Sequence, residues 1–252
     1  MQTIYDNVPM VLAYDYDKWY DYAMKEPIFT YISPSINNHM LICGMSGSGK
    51  SYAELQILAR FIVACPDAEV HFADYKFEDD FEFLRNCSRY YSYDKMTEAI
   101  EIVYTKLKGR ISGNDNTQHP IILVLDEYIA YILSLLSSDN KRAKEIMHHV
   151  AELLMLSRSK NFKILISCQR ADANAFQFGA RTNFSIILIL GAPLRSTYEM
   201  LIPKEFIDTV GDRQFGTGEG TILLQGTTMR FVKIPMIRDW EKIKEICKKG
   251  LL

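Results

Sequence analysis

Short apolar runs alternate along this chain with stretches whose apolar positions recur at helical spacing. The first run, His39-Met40-Leu41-Ile42-Cys43, is parted by a glycine-rich segment from residues 53–63, where Leu55, Leu58, Ala59 and Ile62 repeat with a helical period before Pro66 breaks the pattern. Residues 69–73 predict a second strand, ending at Asp74-Tyr75-Lys76, and residues 79–84 a short helix. A short strand follows near 89–92, then a helix from Asp94, read as its N-cap, to Lys108, and a polar loop over 109–119. Pro120-Ile121-Ile122-Leu123-Val124-Leu125 is apolar at every position, as a strand buried on both faces must be, and it ends in Asp126-Glu127. Helices are predicted over 128–136 and 141–159, the second with Ile146, Val150, Leu153, Leu154 and Ser157 along one face. Strands over 162–168 and 184–190 come next, then a hairpin of 221–225 and 229–234 turning at Gly226-Thr227. Strands alternating with helices predict an α/β fold with a mainly parallel central sheet, flanked by helices and closed by a C-terminal β-hairpin.

The glycine-rich segment behind the first strand carries the chemistry. Gly44-Met45-Ser46-Gly47-Ser48-Gly49-Lys50-Ser51 fits G-x-x-x-x-G-K-[ST], and it stands between a strand and a helix, as that phosphate-binding pattern requires. Glycine lets successive N–H groups turn inward around phosphate oxygens, and the helix that follows points its positive end at the same anion. Lys50 is the candidate for the β/γ-phosphates and Ser51 for a Mg²⁺ ion, a hard oxygen for a hard cation. Residues 44–52, Tyr52 included, form the candidate nucleotide-binding set.

Asp126 and Glu127 end a parallel-type strand, where α/β sheets bind ligands. Asp126 would hold Mg²⁺ through water, and Glu127 would orient and activate the attacking water. On pattern alone, Asp126 suits a cap of the next helix as well. The strand over 162–168 delivers Gln169 to its end. If that strand lies between the other two, Gln169 faces the γ-phosphate; otherwise it serves a loop.

Composition narrows the setting. The 252 residues are 48% hydrophobic and 24% charged, with a formal net charge of −2, so any nucleic-acid contact must be local or shared among subunits. Five cysteines without paired spacing predict reduced thiols, with neither a disulfide framework nor a zinc site. The longest apolar run, residues 185–192, is too short to span a bilayer, and the N-terminus lacks the basic and apolar regions of a signal peptide. A cytoplasmic location is expected. Residues 1–35 are rich in tyrosine and aspartate, notably over 14–22. They suit either an acidic, aromatic docking surface or, as we favour, a short strand-and-helix extension packed on the main domain of residues 36–252.

The order GMSGSGKS, Asp74-Tyr75-Lys76, ILVLDEY and SRSKNFKILISCQR resembles the motor domain of FtsK/SpoIIIE-type DNA translocases, within the FtsK–HerA group. Asp74 and Lys76 match that family's D-P-K-like motif, with Tyr75 in place of proline. Arg158, Gln169 and Arg170 match its M-A-R-A-x-G-I-H-L-I-x-A-T-Q-R-P stretch, and residues 215–224 are similar to its G-x-G-D-M-L hairpin. The resemblance covers roughly residues 36–237. It implies a RecA-like P-loop NTPase of the additional-strand, catalytic-Glu type. It also implies ATP hydrolysis with Mg²⁺ at subunit interfaces of a homo-oligomeric ring, usually a hexamer, and duplex DNA in the central pore.

Such sites are commonly completed by an arginine from the neighbouring subunit, because a cation beside the γ-phosphate stabilises developing charge. Arg158 and Arg181 are the candidates, with Arg170 third; each equally suits an ordinary surface position. The pore-loop candidates are residues 109–119 and 171–181. A plasmid, phage or conjugative element, with a membrane or element-encoded partner protein, is the setting this architecture suggests. Two other readings stand beside DNA movement: a motor for protein secretion or assembly, and a nucleotide-switched adaptor with little hydrolysis.

Overall fold

The computed structural model describes residues 7–33, 36–172, 175–176, 180–211 and 213–252. In chain order it contains β1 (Val8–Asp15), α1 (Tyr16–Asp21), β2 (Pro27–Ile32), β3 (Met40–Gly44), α2 (Lys50–Ala64), β4 (Glu69–Asp74) and β5 (Tyr90–Ser92). There follow α3 (Met96–Ser112), β6 (Ile121–Asp126), α4 (Tyr128–Ser138), α5 (Asn140–Leu156), β7 (Phe162–Cys168) and β8 (Ile186–Leu190). The chain ends with α6 (Arg195–Leu201), α7 (Lys204–Val210), β9 (Glu219–Leu224), β10 (Thr228–Lys233) and α8 (Trp240–Leu251).

All ten strands form one sheet in the order β2-β1-β10-β9-β8-β3-β7-β6-β4-β5. From β8 to β5 neighbouring strands run parallel, and from β8 to β2 each neighbour is antiparallel. The C-terminal hairpin therefore continues the parallel sheet. The N-terminal hairpin β1–β2 in turn pairs with β10, so the first segment extends the sheet itself.

The central strands β3, β6, β7 and β8 are almost wholly apolar because both faces are covered. Along β3, Met40 and Ile42 face the layer of α2 and α8, while Leu41 and Cys43 face that of α3, α4 and α5. Along β6, Ile122 and Val124 alternate in the same way with Ile121, Leu123 and Leu125. Burying β3, β6, β7 and β8 at every residue, on two sides, is the main apolar contribution to the fold.

Several boundaries differ from the sequence pattern for identifiable reasons. Tyr93 takes a left-handed conformation, φ 52°, and opens a single 3₁₀ turn, Tyr93–Lys95. The N-cap of α3 thus falls on Lys95 rather than Asp94. α3 also runs on to Ser112 and stops at Gly113, φ 78°, so the polar loop is shorter than expected. Arg110, the one basic side chain of the predicted loop besides His119, is buried instead in the last turn of that helix. Residues 79–84 form a 3₁₀ helix, and α5 ends at Leu156 because a 3₁₀ turn, Arg158–Lys160, takes over. The thiols are free, as expected. Among the described residues, no helix is long and apolar enough to cross a membrane.

Candidate nucleotide site

Strand order decides what meets at the glycine loop. β7 lies between β3 and β6, so the carboxyl ends of three adjacent parallel strands deliver the loop, Gln169 and the Asp126-Glu127 pair to one crevice. The condition set for Gln169 by the sequence is met: it lines the same cleft as Met45, Gly47, Lys50, Ser51 and Thr217, a space of about 290 Å³. A larger open groove of about 660 Å³ runs along α3 and shares no residue with the loop.

The loop has the geometry its residues suggested. Gly49 occupies the N-cap position of α2 at φ 87°, a conformation that a side chain resists, and no side chain caps the helix. The first N–H groups of α2 are left for a ligand. The Ser48 hydroxyl is buried within the loop without a partner. Tyr52 stacks its ring on Trp240, with centroids 4.5 Å apart, and its hydroxyl accepts a short hydrogen bond from the Ile237 N–H. Its side chain is committed to α8, so its share in ligand binding rests on its backbone.

Lys50 is drawn into a cage of carboxylates. Its Nζ lies 2.8 Å from Asp126 Oδ1 and 3.1 Å from Glu127 Oε1, and donates to Ser167 Oγ at 3.4 Å. The Ser167 hydroxyl in turn donates a short hydrogen bond to Asp126 Oδ1. Burial disfavours the Lys50 charge, but Asp126, Glu54 and Glu127 outweigh it and hold the ammonium protonated. Lys76, one strand over, reaches Glu127 Oε1 at 3.3 Å and Glu78 at 3.6 Å. The Asp74 carboxylate accepts from the Phe77 N–H and the Tyr90 hydroxyl, both at 2.7 Å. Burial, with Asp126 adding to it, pushes Asp74 up to about 6 against those hydrogen bonds.

Asp126 does not cap α4. The N-cap is Glu127, at φ 56° and ψ 36°, and it makes no side-chain capping bond. A glutamate in the left-handed region is costly, and here the conformation aims its carboxylate at Lys50 and Lys76. Asp126 Oδ2 and Glu127 Oε1 are buried without an aligned hydrogen bond, although the latter sits at ion-pair distance from both lysines. Unmatched carboxylate oxygens and a hydroxyl, such as that of Ser51 in the cleft, are the hard-oxygen donors that Mg²⁺ prefers. The residues therefore fit a Mg-nucleotide, for which Ser51 and Asp126 would hold the ion and the loop N–H groups and Lys50 the phosphates.

The sequence passed over two neighbours of this centre. Ser167 was read only as a strand residue. Glu54, one helical turn behind Lys50, is fully buried with both carboxylate oxygens unpartnered. Burial, then Asp126, pushes its carboxyl well above the usual range against the pull of Lys50. An acid within the buried stripe of α2 was the available signal.

The arginines fall elsewhere. Arg158 and Arg181 precede β7 and β8, at the end of the sheet opposite the glycine loop, and cannot reach the site of their own chain. Arg170 follows β7 on the loop side. None of the three makes a side-chain hydrogen bond or ion pair among the described residues. Of the expected pore loops, residues 109–119 hold no free cation. Arg110 is bound to Lys160 O, Asp115 and Thr117, and His119 lies 3.4 Å from Glu69. The other, 171–181, lies partly outside the described residues.

No protein-family model matches the chain. Among curated proteins it is similar to the FtsK domain-containing protein YdcQ of Bacillus subtilis (strain 168), 28% identical over 224 residues, covering 78% of this chain and 45% of that protein. Its fold is similar to the pCW3 conjugation coupling protein TcpA, a monomer form with ATPγS, with a TM-score of 0.69 at 17% identity over 98% of this chain and 73% of that one. It is likewise similar to the cytoplasmic domain of the Thermomonospora curvata Type VII secretion ATPase EccC, with a TM-score of 0.68 at 17% identity over 97% of this chain and 31% of that one. The chain thus spans less than half of the curated relative and about a third of EccC. The structures share the P-loop ATPase fold, and with the relative they bear out the resemblance to FtsK-type motor domains.

Proposed function

We propose that this FtsK-type motor domain hydrolyses ATP with Mg²⁺ at the interfaces of a homo-oligomeric ring, a hexamer by resemblance, and moves duplex DNA through it. The observation that carries the reading is the convergence of Lys50, Asp126, Glu127 and Gln169 from three adjacent strands on a cleft edged by the glycine loop. In this account Lys50 leaves the carboxylates for the phosphates, Glu127 orients the attacking water and takes its proton, and Gln169 responds to loss of the γ-phosphate. Arg158 and Arg181, unable to act within their own chain and without a side-chain partner among the described residues, suit the site of a neighbour.

The conjugation coupling protein among the similar structures supports DNA as the cargo, and a few phosphate contacts per subunit would be summed by a ring. Protein movement is the second reading. It is favoured by the likeness to a secretion ATPase and by the exposed Tyr20, Tyr22, Phe29 and Tyr31 near the N-terminus. The deciding experiment measures mass in solution and ATP turnover, with and without a non-hydrolysable ATP analogue and duplex DNA. A ring favoured by both ligands, with turnover raised by DNA and suppressed by salt, is expected. Turnover indifferent to DNA of several lengths at low salt overturns DNA movement and leaves the protein motor.

A further inference from the structure

We propose that Glu219 is a positioning residue for the phosphate loop, and that Tyr20 of the N-terminal segment holds it in place. The inference rests on the reading of residues 44–51 as a nucleotide site.

The turn before β9 lies across the glycine loop and is bonded to its backbone. Thr217 Oγ1 donates to Gly47 O at 2.9 Å, and the Gly218 N–H donates to Ser48 O at 2.8 Å. A trans peptide points its C=O and N–H in opposite directions. Holding those two carbonyls on the side of the turn therefore directs the N–H groups of Ser48 and Gly49 away from it. The Ser48 N–H closes a turn on Met45 O at 3.1 Å, and that of Gly49 is turned to the side opposite the bonded carbonyl of Ser48. The phosphate cradle is set from behind.

The turn is itself fixed by one carboxylate. Glu219 Oε2 accepts from the Gly216 N–H at 2.9 Å, and Oε1 accepts from Lys233 Nζ at 2.8 Å and, in a short bond, from the Tyr20 hydroxyl. Burial raises Glu219, but these bonds outweigh it and hold the carboxylate ionised. The carbonyl of Gly218, at φ 71°, accepts from the Ile234 N–H at 2.7 Å, and a Cβ there would lie 2.9 Å from Ile234 O. α1 grips both ends of the turn. The Tyr16 ring packs edge-on against Phe215, with centroids 5.6 Å apart, and Asp17 pairs with Arg213 at 3.0 Å. The aromatic, acidic segment thus reaches the phosphate loop through two bonded steps, from Tyr20 to Glu219 and from the turn to Gly47 and Ser48.

The test uses the full chain with a fluorescent ATP analogue, and amide hydrogen exchange of residues 45–49 without nucleotide. Glu219→Ala should weaken nucleotide binding about tenfold, and Tyr20→Phe or Thr217→Val ~3- to 5-fold, near the worth of one hydrogen bond. Thr217→Ser should restore binding. The double variant Tyr20→Phe/Thr217→Val should cost less than the sum of its parts, because both act through one turn. Exchange at 45–49 should quicken in each weakened variant. Affinity and exchange within twofold of the parent, or strictly additive losses, overturn the proposal. A parent that binds no nucleotide overturns the nucleotide reading instead, and exchange at 45–49 still decides whether the turn sets the loop.

Discussion

The two ends of the parallel sheet are built to different rules. At the carboxyl ends of β3 and β6, in the glycine loop and in the second turn of α2, Ser48 Oγ, Asp126 Oδ2, Glu127 Oε1 and both Glu54 oxygens are buried without hydrogen bonds. At the amino ends of the same strands, buried polar groups are bonded, apart from Asn38 Oδ1. His39 Nδ1 accepts from the Ile164 N–H at 3.1 Å, Asn161 Nδ2 donates to Gln118 O at 2.9 Å, and Arg110 ties Lys160 O to Thr117 across the face of Phe162. Lys163 donates to Ser33 O and Ile36 O at 3.1 and 3.2 Å. A protein leaves buried polar groups unmatched where a ligand is to match them, and closes such networks where the fold alone is served.

The sharpest test of that contrast is Glu127→Gln. On the proposed reading it lowers ATP turnover by about 10²- to 10⁴-fold while nucleotide stays bound, since the amide keeps the shape and loses the base. Unchanged turnover would remove Glu127 from the chemistry and favour a nucleotide-switched adaptor. The opposite end enters the reaction only through a neighbour. Mixing Arg158→Ala with Lys50→Ala subunits should restore part of the activity that each lacks, against single losses on the order of a hundredfold. If neither Arg158→Ala nor Arg181→Ala lowers turnover, the arginines belong to the surface.

Stability should divide the ends in the other direction. Glu54→Met removes an unmatched buried acid and should raise stability, whereas Arg110→Met strands several acceptors and should lower it, each by about 1–3 kcal/mol, read as opposite shifts of Tm by a few degrees. Equal losses at both positions would dissolve the contrast. The smallest effect concerns Lys163, which burial pushes down to about 8 from 10.5. Between those values the unfolded chain binds the extra proton, so stability should climb as pH rises through that window. Thermal melts from pH 7 to 10.5 should show the climb in the parent and lose it in Lys163→Met.

Much of the site was legible along the chain because its chemistry is written in short local motifs. A loop that must turn N–H groups inward needs glycine, and a strand buried on both faces reads as unbroken apolar residues until Asp126 and Glu127 interrupt it. Local boundaries were less legible, as the shift of the α3 cap from Asp94 to Lys95 shows, because the left-handed turn at Tyr93 depends on its surroundings. Ser167 and Glu54 looked like ordinary positions on a strand and a helix, and only the meeting of β3, β6, β7 and α2 gives them their company.

By itself, then, the sequence determined the alternation of strands and helices, the phosphate-loop conformation and the types of group at each strand end. Periodicity and backbone sterics act over a few residues and leave their mark there. Tertiary structure alone decided that β7 stands between β3 and β6, that Arg158 and Arg181 lie at the far end, and that the N-terminal segment joins β10 and braces the phosphate loop through Glu219. Those outcomes depend on pairings between residues as distant in the chain as Tyr14 and Lys233, and a one-dimensional pattern carries no term for them.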